Sequence, residues 1–195
     1  TYISNDTVTA QVLIQWADDD SNLSSRPAGV PITLYQNGKS LKTYTITADT
    51  SWYYAWSGLE KTDNNGQAYK YTFSAAADLD KTYPAYTVAT DPADPPLVLD
   101  NLTSNIYNFT YQPASFTVNS TWNNATGSNL PTSAEVQLQQ SVDGSTYTNY
   151  GSPVTLTSAE NWAHTWTNLP SYTSASIKIQ YKAVETVPNG YTAVY

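Results

Sequence analysis

Hydrophobic and polar residues alternate along much of the chain in short runs that end at turn residues. Val8–Trp16 alternates in this way and predicts an opening strand, because successive side chains of a strand point to opposite faces. Two further runs, Val30–Gln36 and Ser40–Ala48, flank Asn37-Gly38, a dipeptide that strongly favours a two-residue hairpin turn. No stretch of ten residues shows a convincing helical period. The pattern therefore predicts an all-β chain of short strands.

The same reasoning predicts strands along the rest of the chain, about seven in each roughly 100 residues, which is typical of a β-sandwich. In the first half they are Trp52–Trp56, Tyr69–Ala75, Tyr86–Ala89 and Asn105–Thr110. In the second half they are Ser115–Trp122, Ala134–Gln139, Val154–Leu156, Trp162–Trp166, Ile177–Val184 and Tyr191–Tyr195.

The positions of the six tryptophans indicate an internal repeat. They fall into two sets of three: Trp16, Trp52 and Trp56, then Trp122, Trp162 and Trp166. Each set ends in Trp-x-x-x-Trp, with a leucine three residues later and a tyrosine 15 residues later. Corresponding landmarks are 104 to 110 residues apart. We therefore predict two homologous domains, residues 1–112 and 113–195.

The tryptophans have two possible roles. Residues four apart in a strand share a face, so Trp52 with Trp56 and Trp162 with Trp166 are expected to point the same way. Such rings can fill much of a small sandwich core, or they can form a platform on which sugar rings stack. The core interpretation is favoured because every tryptophan has a counterpart in the other repeat.

Composition excludes several functions. The 195 residues carry a net charge of -8, which repels the phosphates of nucleic acids and anionic membranes. There is no cysteine and one histidine, His164, so thiolate and multi-histidine metal sites are excluded. No apolar run approaches the ~20 residues that span a bilayer. No signal peptide is present, which predicts a cytosolic chain or a mature secreted fragment.

Two polar features deserve separate interpretations. His164 is expected to be an exposed or half-exposed ring on the strand face opposite Trp162 and Trp166, and no Gly-x-Ser-x-Gly elbow supports a catalytic triad around it. The carboxylates of Asp18-Asp19-Asp20 are candidates for calcium, but the spacing lacks the organised pattern of a calcium loop. The second repeat has Asn123-Asn124 there, so a solvated loop is favoured.

Several motifs resemble the collagen-adhesin B-type (Cna B-type) repeat of Gram-positive surface proteins. They are Trp162-Ala163-His164-Thr165-Trp166 followed by Leu169-Pro170, and Val187-Pro188-Asn189-Gly190-Tyr191-Thr192, with looser matches in the first repeat. The resemblance implies two tandem, inverse immunoglobulin-like β-sandwiches. It also implies stalk modules of cell-wall-anchored adhesins and pili.

Many members of that family carry an internal Lys–Asn or Lys–Asp isopeptide bond promoted by a buried acid. The family's lysine position corresponds here to Ile14 and Ser120, and its acid position to Ala75 and Glu185. The best match to the acceptor is Asn108. Because the nucleophilic lysine is missing from both repeats, we expect no isopeptide bond at these positions and a solvated or capped Glu185.

The second repeat ends four residues after Tyr191, so we expect it to lack its closing strand within this chain. The gap is expected to be filled by continuation of a longer natural protein. Alternatively, Thr1–Asp6 of a neighbouring molecule adds the strand. Either way, the flanking repeats of a longer surface protein are the expected partners.

The sequence therefore predicts a non-enzymatic spacer and adhesion module, extracellular and attached to the cell wall, with no catalytic, cofactor or metal residues. A host extracellular-matrix or glycan ligand is a further expected partner of such a module. The alternative is a pair of carbohydrate-binding modules on a secreted protein that targets polysaccharide, with exposed tyrosines as the stacking surface. The candidates for that surface are Tyr35, Tyr44, Tyr147 and Tyr150.

Overall fold

The computed structural model describes residues 6–18, 25–93, 95–123 and 130–195. The chain divides into two compact units. Unit 1 comprises Thr1–Gln112 with Ser174–Ser176, and unit 2 comprises Pro113–Thr173 with Ile177–Tyr195. Strands dominate both units, so the all-β prediction is confirmed. None of the helices in the described ranges is long and apolar enough to cross a membrane.

Unit 1 is a sandwich of two sheets. Its strands are β1 (Thr7–Ala17), β2 (Gly29–Gln36), β3 (Lys39–Thr47), β4 (Tyr53–Glu60), β5 (Tyr71–Phe73), β6 (Tyr86–Asp91), β7 (Leu97–Leu99) and β8 (Leu102–Tyr111). One sheet has the order β4-β1-β8-β6, with β7 also paired to β8, and the other has the order β3-β2-β5. The β1–β8 pair is parallel, whereas the other pairs are antiparallel.

Alternation decides which side chains of unit 1 reach the core. Along β1, Val8, Ala10, Val12 and Ile14 are at most 9% exposed, and the residues between them are not buried. Along β8 the buried row is Thr103, Asn105, Tyr107, Phe109 and Tyr111. Val30, Ile32 and Leu34 of β2 are fully buried on the other sheet, and burial of the apolar side chains of these rows is the main stabilising contribution.

The predicted hairpin is present. Asn37 and Gly38 join β2 to β3 with φ angles of 49° and 79°. Both residues therefore adopt the left-handed conformation that a two-residue turn between twisted strands requires, and Asn and Gly adopt it at low cost.

Unit 1 also contains a helix that the hydrophobic pattern does not predict. The helix α1 (Ala76–Thr82) has seven residues, and Leu79 is its buried residue. Two turns with one apolar anchor are too short to produce a visible 3.6-residue period. The predicted strand Tyr69–Ala75 is correspondingly shorter, because the chain leaves β5 at Phe73 to enter α1.

Unit 2 repeats much of this arrangement. Its strands are β9 (Ala114–Asn119), β10 (Ala134–Ser141), β11 (Thr148–Asn149), β12 (Val154–Leu156), β13 (Ala163–Leu169) and β14 (Gln180–Thr186). One sheet has the order β11-β10-β12 with β14 also paired to β10, and the other pairs β13 with β9. The strand predicted at Tyr191–Tyr195 is wrong, because this segment forms no strand.

The two units share their register in detail. In unit 1, Ala10 faces Trp56 and Val12 faces Tyr54. In unit 2, Phe116 faces Trp166 and Val118 faces His164, which are the equivalent positions. Each pair is interrupted by a bulge, between Trp56 and Leu59 in β4 and between Trp166 and Leu169 in β13. An irregularity kept at the same position supports the internal duplication.

Candidate functional site

The first candidate site is the aromatic cluster at the end of β1. The ring of Trp16 lies 4.9 Å from that of Trp52, 5.1 Å from that of Tyr86 and 4.6 Å from that of Phe109. These are ordinary spacings for packed aromatic rings. The cluster therefore joins three strands, β1, β6 and β8, to the turn that precedes β4.

A buried ion pair closes one side of this cluster. The Arg26 guanidinium donates to both carboxylate oxygens of Asp18, and its charge lies 5.0 Å from the Trp16 ring centroid. The Asp18 side chain is only 2% exposed. Burial raises the pKa of the Tyr86 hydroxyl, and the nearby Asp18 carboxylate raises it further. The arrangement stabilises the neutral phenol and offers no reactive group.

The Asp18 carboxylate is therefore already paired with Arg26, whereas Asp19 and Asp20 lie outside the described residues. In the part of the chain that the structure describes, no group of three or more His, Cys, Asp or Glu side chains is placed to hold a metal ion.

The expectation that each Trp-x-x-x-Trp pair shares a strand face is wrong. Trp52 and Trp162 precede their strands and have φ angles of 57° and 59°. A short 3-10 turn comes before each of them, and the tryptophan amide donates to a threonine carbonyl across that turn, at 3.0 Å for Trp52 and 2.9 Å for Trp162. The left-handed backbone redirects the first ring of each pair toward Trp16 or Trp122.

All six tryptophans nevertheless belong to the interior. Trp56 and Trp162 are 5% and 9% exposed, and the other four are half-buried. In unit 2 the Trp122 ring lies 5.0 Å from Trp162 and 5.0 Å from Tyr191, which repeats the geometry around Trp16. Rings used in this way hold strands together, which supports the interpretation of the tryptophans as core residues.

The histidine packs against the same layer. His164 is half-buried, and its ring lies 4.6 Å from that of Trp166. It therefore shares a face with Trp166, and the predicted opposite face is wrong because residues two apart in a strand point the same way. Its counterpart Tyr54 lies 4.9 Å from Trp56 in the same edge-on geometry.

The tyrosines proposed as a sugar-binding surface are half-buried rather than exposed: Tyr35, Tyr44, Tyr147 and Tyr150. Tyr44 stacks on Tyr54 at 3.6 Å, and the Lys182 ammonium lies 4.1 Å from the centroid of the Tyr147 ring. These contacts occupy one face of the Tyr44 ring and one face of the Tyr147 ring.

The positions that correspond to the family's isopeptide-forming residues hold no lysine. Ile14 is buried at 3% exposure, Ala75 is exposed before α1, and Asn108 lies opposite the buried row of β8. The buried asparagine of that strand is instead Asn105. Every lysine of the sequence lies within the described residues and none is buried.

The Lys61 ammonium contacts both a carboxylate and an asparagine side chain. It donates to Asp100 at 2.9 Å and to Asn101 at 3.1 Å. The hydrogen bond to Asp100 raises the pKa of Lys61, which keeps the amine protonated. A nucleophilic amine needs the opposite shift.

The second candidate site is a cavity of about 760 Å³ in unit 2. One wall is formed by residues 118–123 at the end of β9, and the other by residues 187–195 at the end of the chain. Val136, Ala183 and Glu185 line its base. Ser120 and Glu185, the equivalents of the family's lysine and acid, thus face the same space.

Comparison with known proteins places this architecture in context. The chain matches the sequence profile of the Cna protein B-type domain over residues 10–94 and 116–195. It is 32% identical over 180 residues to the collagen adhesin of Staphylococcus aureus, a match that covers 91% of this chain and 13% of the adhesin. The chain therefore spans a small part of the length of that curated relative.

Solved structures give similar matches. The single B repeat unit (B1) of the S. aureus collagen-binding surface protein is 28% identical, with 95% of this chain and 89% of that chain covered and a TM-score of 0.39. The two-repeat B1B2 structure of the same protein is 26% identical, with 95% and 45% covered and a TM-score of 0.37.

Proposed function

Because the chain belongs to the family of Cna protein B-type domains, we propose that it is a stalk and adhesion module of a cell-wall-anchored bacterial surface protein. Its role is mechanical: it spaces a binding region from the cell wall and carries the force applied to that region. The proposed location is extracellular, and the proposed partners are flanking repeats and a matrix or glycan ligand.

The observation that supports this role most directly is the parallel pairing of β1 with β8. The ladder runs from Thr9 beside Leu102 to Ala17 beside Thr110. Because the strands are parallel, the start of β1 and the end of β8 lie at opposite ends of the ladder. A force applied to these two ends shears the ladder, so that all of its hydrogen bonds are loaded together.

The direction of pulling tests this proposal. The sequence contains no cysteine, so attachment points can be introduced in pairs by substitution. Thr7→Cys with Thr110→Cys loads the parallel ladder in shear. Thr7→Cys with Glu60→Cys is the matched control, because Thr7 and Glu60 are antiparallel partners and pulling on them opens β1 from β4 one bond at a time.

All three positions are exposed, so the substitutions leave the core of unit 1 intact. Single-molecule force spectroscopy of the full chain is expected to give a clearly higher unfolding force for the Thr7/Thr110 pair than for the Thr7/Glu60 pair. Equal forces, or a lower force in shear, would contradict a load-bearing role for unit 1.

We also propose that the domains extend over residues 1–112 and 113–195 and that neither is an enzyme. The alternative of paired carbohydrate-binding modules has less support, because the tryptophans pack in the interior and two of the candidate tyrosines, Tyr44 and Tyr147, have one ring face in contact with another side chain. A glycan array checks it, and saturable binding that is lost on Tyr44→Ala would favour the alternative.

A further inference from the structure

Two tyrosines of unit 1 stack face to face between its two sheets. Tyr44 lies on β3 and Tyr54 on β4, and their ring centroids are 3.6 Å apart with an angle of 10° between the ring planes. β3 is an edge strand of one sheet, and β4 is an edge strand of the other. Within the described residues no ladder of hydrogen bonds joins these two strands, so the stacked rings connect them through side chains.

Other tyrosine pairs of the chain have a different geometry. Tyr86 and Tyr111 lie 5.6 Å apart at an angle of 63°, and Tyr150 and Tyr181 lie 5.9 Å apart at 83°. Those are edge-on contacts, which aromatic rings commonly form. A centroid separation of 3.6 Å between nearly parallel rings leaves little offset, so the carbon atoms of one ring lie against those of the other.

The stacked pair is a feature of unit 1 and not of the repeat. The equivalent residues of unit 2, 110 positions later, are Val154 on β12 and His164 on β13. His164 contacts Trp166 edge-on, just as Tyr54 contacts Trp56. Packing of this layer therefore does not require two phenols in contact, and unit 2 provides an internal comparison.

Both rings are accessible from the surface. They are half-buried and line a groove of about 400 Å³, which is formed by residues 42–44 of β3 and residues 54–57 of β4. By contrast, Tyr86 and Tyr111 are only 3% and 8% exposed. An oxidant that acts at the protein surface therefore has access to the stacked pair.

We propose that Tyr44 and Tyr54 form a site of oxidative cross-linking, at which a peroxidase with hydrogen peroxide joins the two rings. Each phenol loses one electron and one proton and becomes a phenoxyl radical. The two radicals combine in one carbon–carbon bond between ring carbons next to the hydroxyl groups, and the hydrogens of these carbons pass through solvent to the oxygens. The two electrons and two protons removed reduce one hydrogen peroxide to two waters.

Contact between the rings favours this reaction over its competitors. A phenoxyl radical on an isolated tyrosine must meet a partner by diffusion, whereas here the second ring is already in contact. Two groups held together in this way react as if at a very high concentration. The product ties β3 to β4 covalently in a chain that has no cysteine for disulfides. This site does not depend on the mechanical role proposed for unit 1.

Oxidation of the dilute full chain with peroxidase and limiting hydrogen peroxide tests the proposal. The product is digested with proteases that cut after lysine and before aspartate. Cleavage after Lys42, before Asp49 and after Lys61 places Tyr44 and Tyr54 in different fragments, residues 43–48 and residues 49–61. Mass spectrometry is expected to find these two fragments joined, with the loss of two hydrogen atoms, and the product is expected to show dityrosine fluorescence.

Two variants separate stacking from exposure. Tyr54→Phe keeps a ring but removes the phenol, and it is expected to lower the yield of joined fragments about tenfold or more. Tyr53→Phe is the matched control, because Tyr53 is the adjacent residue, is 41% exposed and donates its hydroxyl to Gln11 at 3.0 Å. Its yield is expected to equal that of the natural chain.

The cross-link is also expected to stabilise the folded chain, because a covalent tie restricts the unfolded state. The oxidised natural chain should unfold at a higher urea concentration than the untreated chain. Oxidised Tyr54→Phe should show no such rise. A natural chain that forms the joined fragments without any rise in its urea midpoint would contradict a tie between the two sheets.

Three further results would overturn the proposal. One is the absence of joined fragments from the oxidised natural chain. Another is an equal yield from Tyr54→Phe and Tyr53→Phe, which would mean that exposure rather than stacking decides which tyrosine reacts. The third is joined fragments found only in covalent dimers, which would mean that the rings of different molecules combine.

Discussion

At the scale of single residues, Arg26 stabilises unit 1 through a carboxylate that has almost no access to water. Asp18 is 2% exposed at its side chain, and Arg26 covers it while packing against Trp16. Arg26→Ala leaves that carboxylate without its cation. We expect the free energy of unfolding to fall by about 2 kcal/mol, since Arg26 itself retains some solvent contact.

Urea denaturation of the variant measures this loss, and Lys81→Ala is its control. Lys81 pairs with Asp78 at 3.5 Å, but both side chains are more than two thirds exposed, and such pairs contribute little. If the two variants had equal stability, the ion pair at Asp18 would not be a significant part of the core.

A second prediction at this scale concerns covalent bonds. Every lysine lies outside the buried set, and both lysine positions of the family hold other residues, Ile14 and Ser120. Intact-mass spectrometry is therefore expected to give the mass of the unmodified sequence. A deficit of one ammonia or one water that survives denaturation would show an isopeptide bond and contradict this account.

The sequence predicted which residues lie in the interior better than it predicted where their side chains point. The repeat pattern located every interior tryptophan, but it could not show that Trp52 and Trp162 lie in left-handed turns. Those turns depend on the preceding 3-10 segments, which leave no periodic signal. The sequence motif also could not show that Asn108, the best match to the family's acceptor, lies on the face of β8 opposite the buried row, because that face follows from the register of β8 with β1.

At the scale of elements, the bulge between β1 and β4 depends on one backbone conformation. Gly58 has a φ of 67°, and its equivalent in unit 2, Asn168, has a φ of 55°. A Cβ added to Gly58 would meet nothing within 4 Å, so only the backbone conformation restricts the residue. Gly58→Val is expected to cost about 1–2 kcal/mol.

Gly58→Asn is the control that the repeat itself supplies, because unit 2 already holds asparagine at this position. It should lose clearly less stability than the valine variant in thermal denaturation. If valine and asparagine were tolerated equally, a positive φ at Gly58 would not be required for the bulge.

The turn after β10 gives a pH-dependent prediction. The Asp143 carboxylate accepts from the amides of Thr146 at 2.7 Å and Ser145 at 2.8 Å, which lowers its pKa, and from the Ser141 hydroxyl at 2.8 Å. Its stabilising effect is therefore complete above the unfolded value of ~3.9 and is lost as the pH falls through the lower folded pKa.

The stability difference between the natural chain and Asp143→Ala should accordingly be present at pH 7 and shrink as the pH falls below about 4. Unfolding in urea at several pH values measures it. Asp143→Asn, which keeps an acceptor without the charge, should lack this dependence. A difference that stayed constant with pH would assign the effect to local geometry alone.

Elements with strong alternation or a turn dipeptide were predictable, and Val154–Leu156 agrees residue for residue. The helix α1 and the exposed strand β7 were missed, because neither contributes more than one buried side chain. Tyr191–Tyr195 carries a strand pattern, but a strand also needs a partner. Its equivalent in unit 1 pairs with β8.

At the scale of the whole molecule, the two units share one sequence pattern but differ in how their first strands are paired. Unit 1 encloses its first strand between two neighbours, and unit 2 pairs the equivalent strand on one side within the described residues. The duplication and the fold class could be read from spacing alone. The incomplete burial of the side chains along β9 could not be read from the sequence, because burial depends on which strands lie beside β9.

Hydrogen exchange along the two equivalent strands tests this view most directly. Amides alternate in direction along a strand, so the Gln11 and Leu13 amides face β8 like the Thr9 amide, and the Thr117 and Asn119 amides lie on the side of β9 away from β13, opposite to the Ser120 amide. We expect the first pair to exchange about 100-fold or more slowly than the second, because a paired amide exchanges only when its strand opens. Equal protection of the two pairs would mean that the edge of β9 is already covered, which would contradict the account.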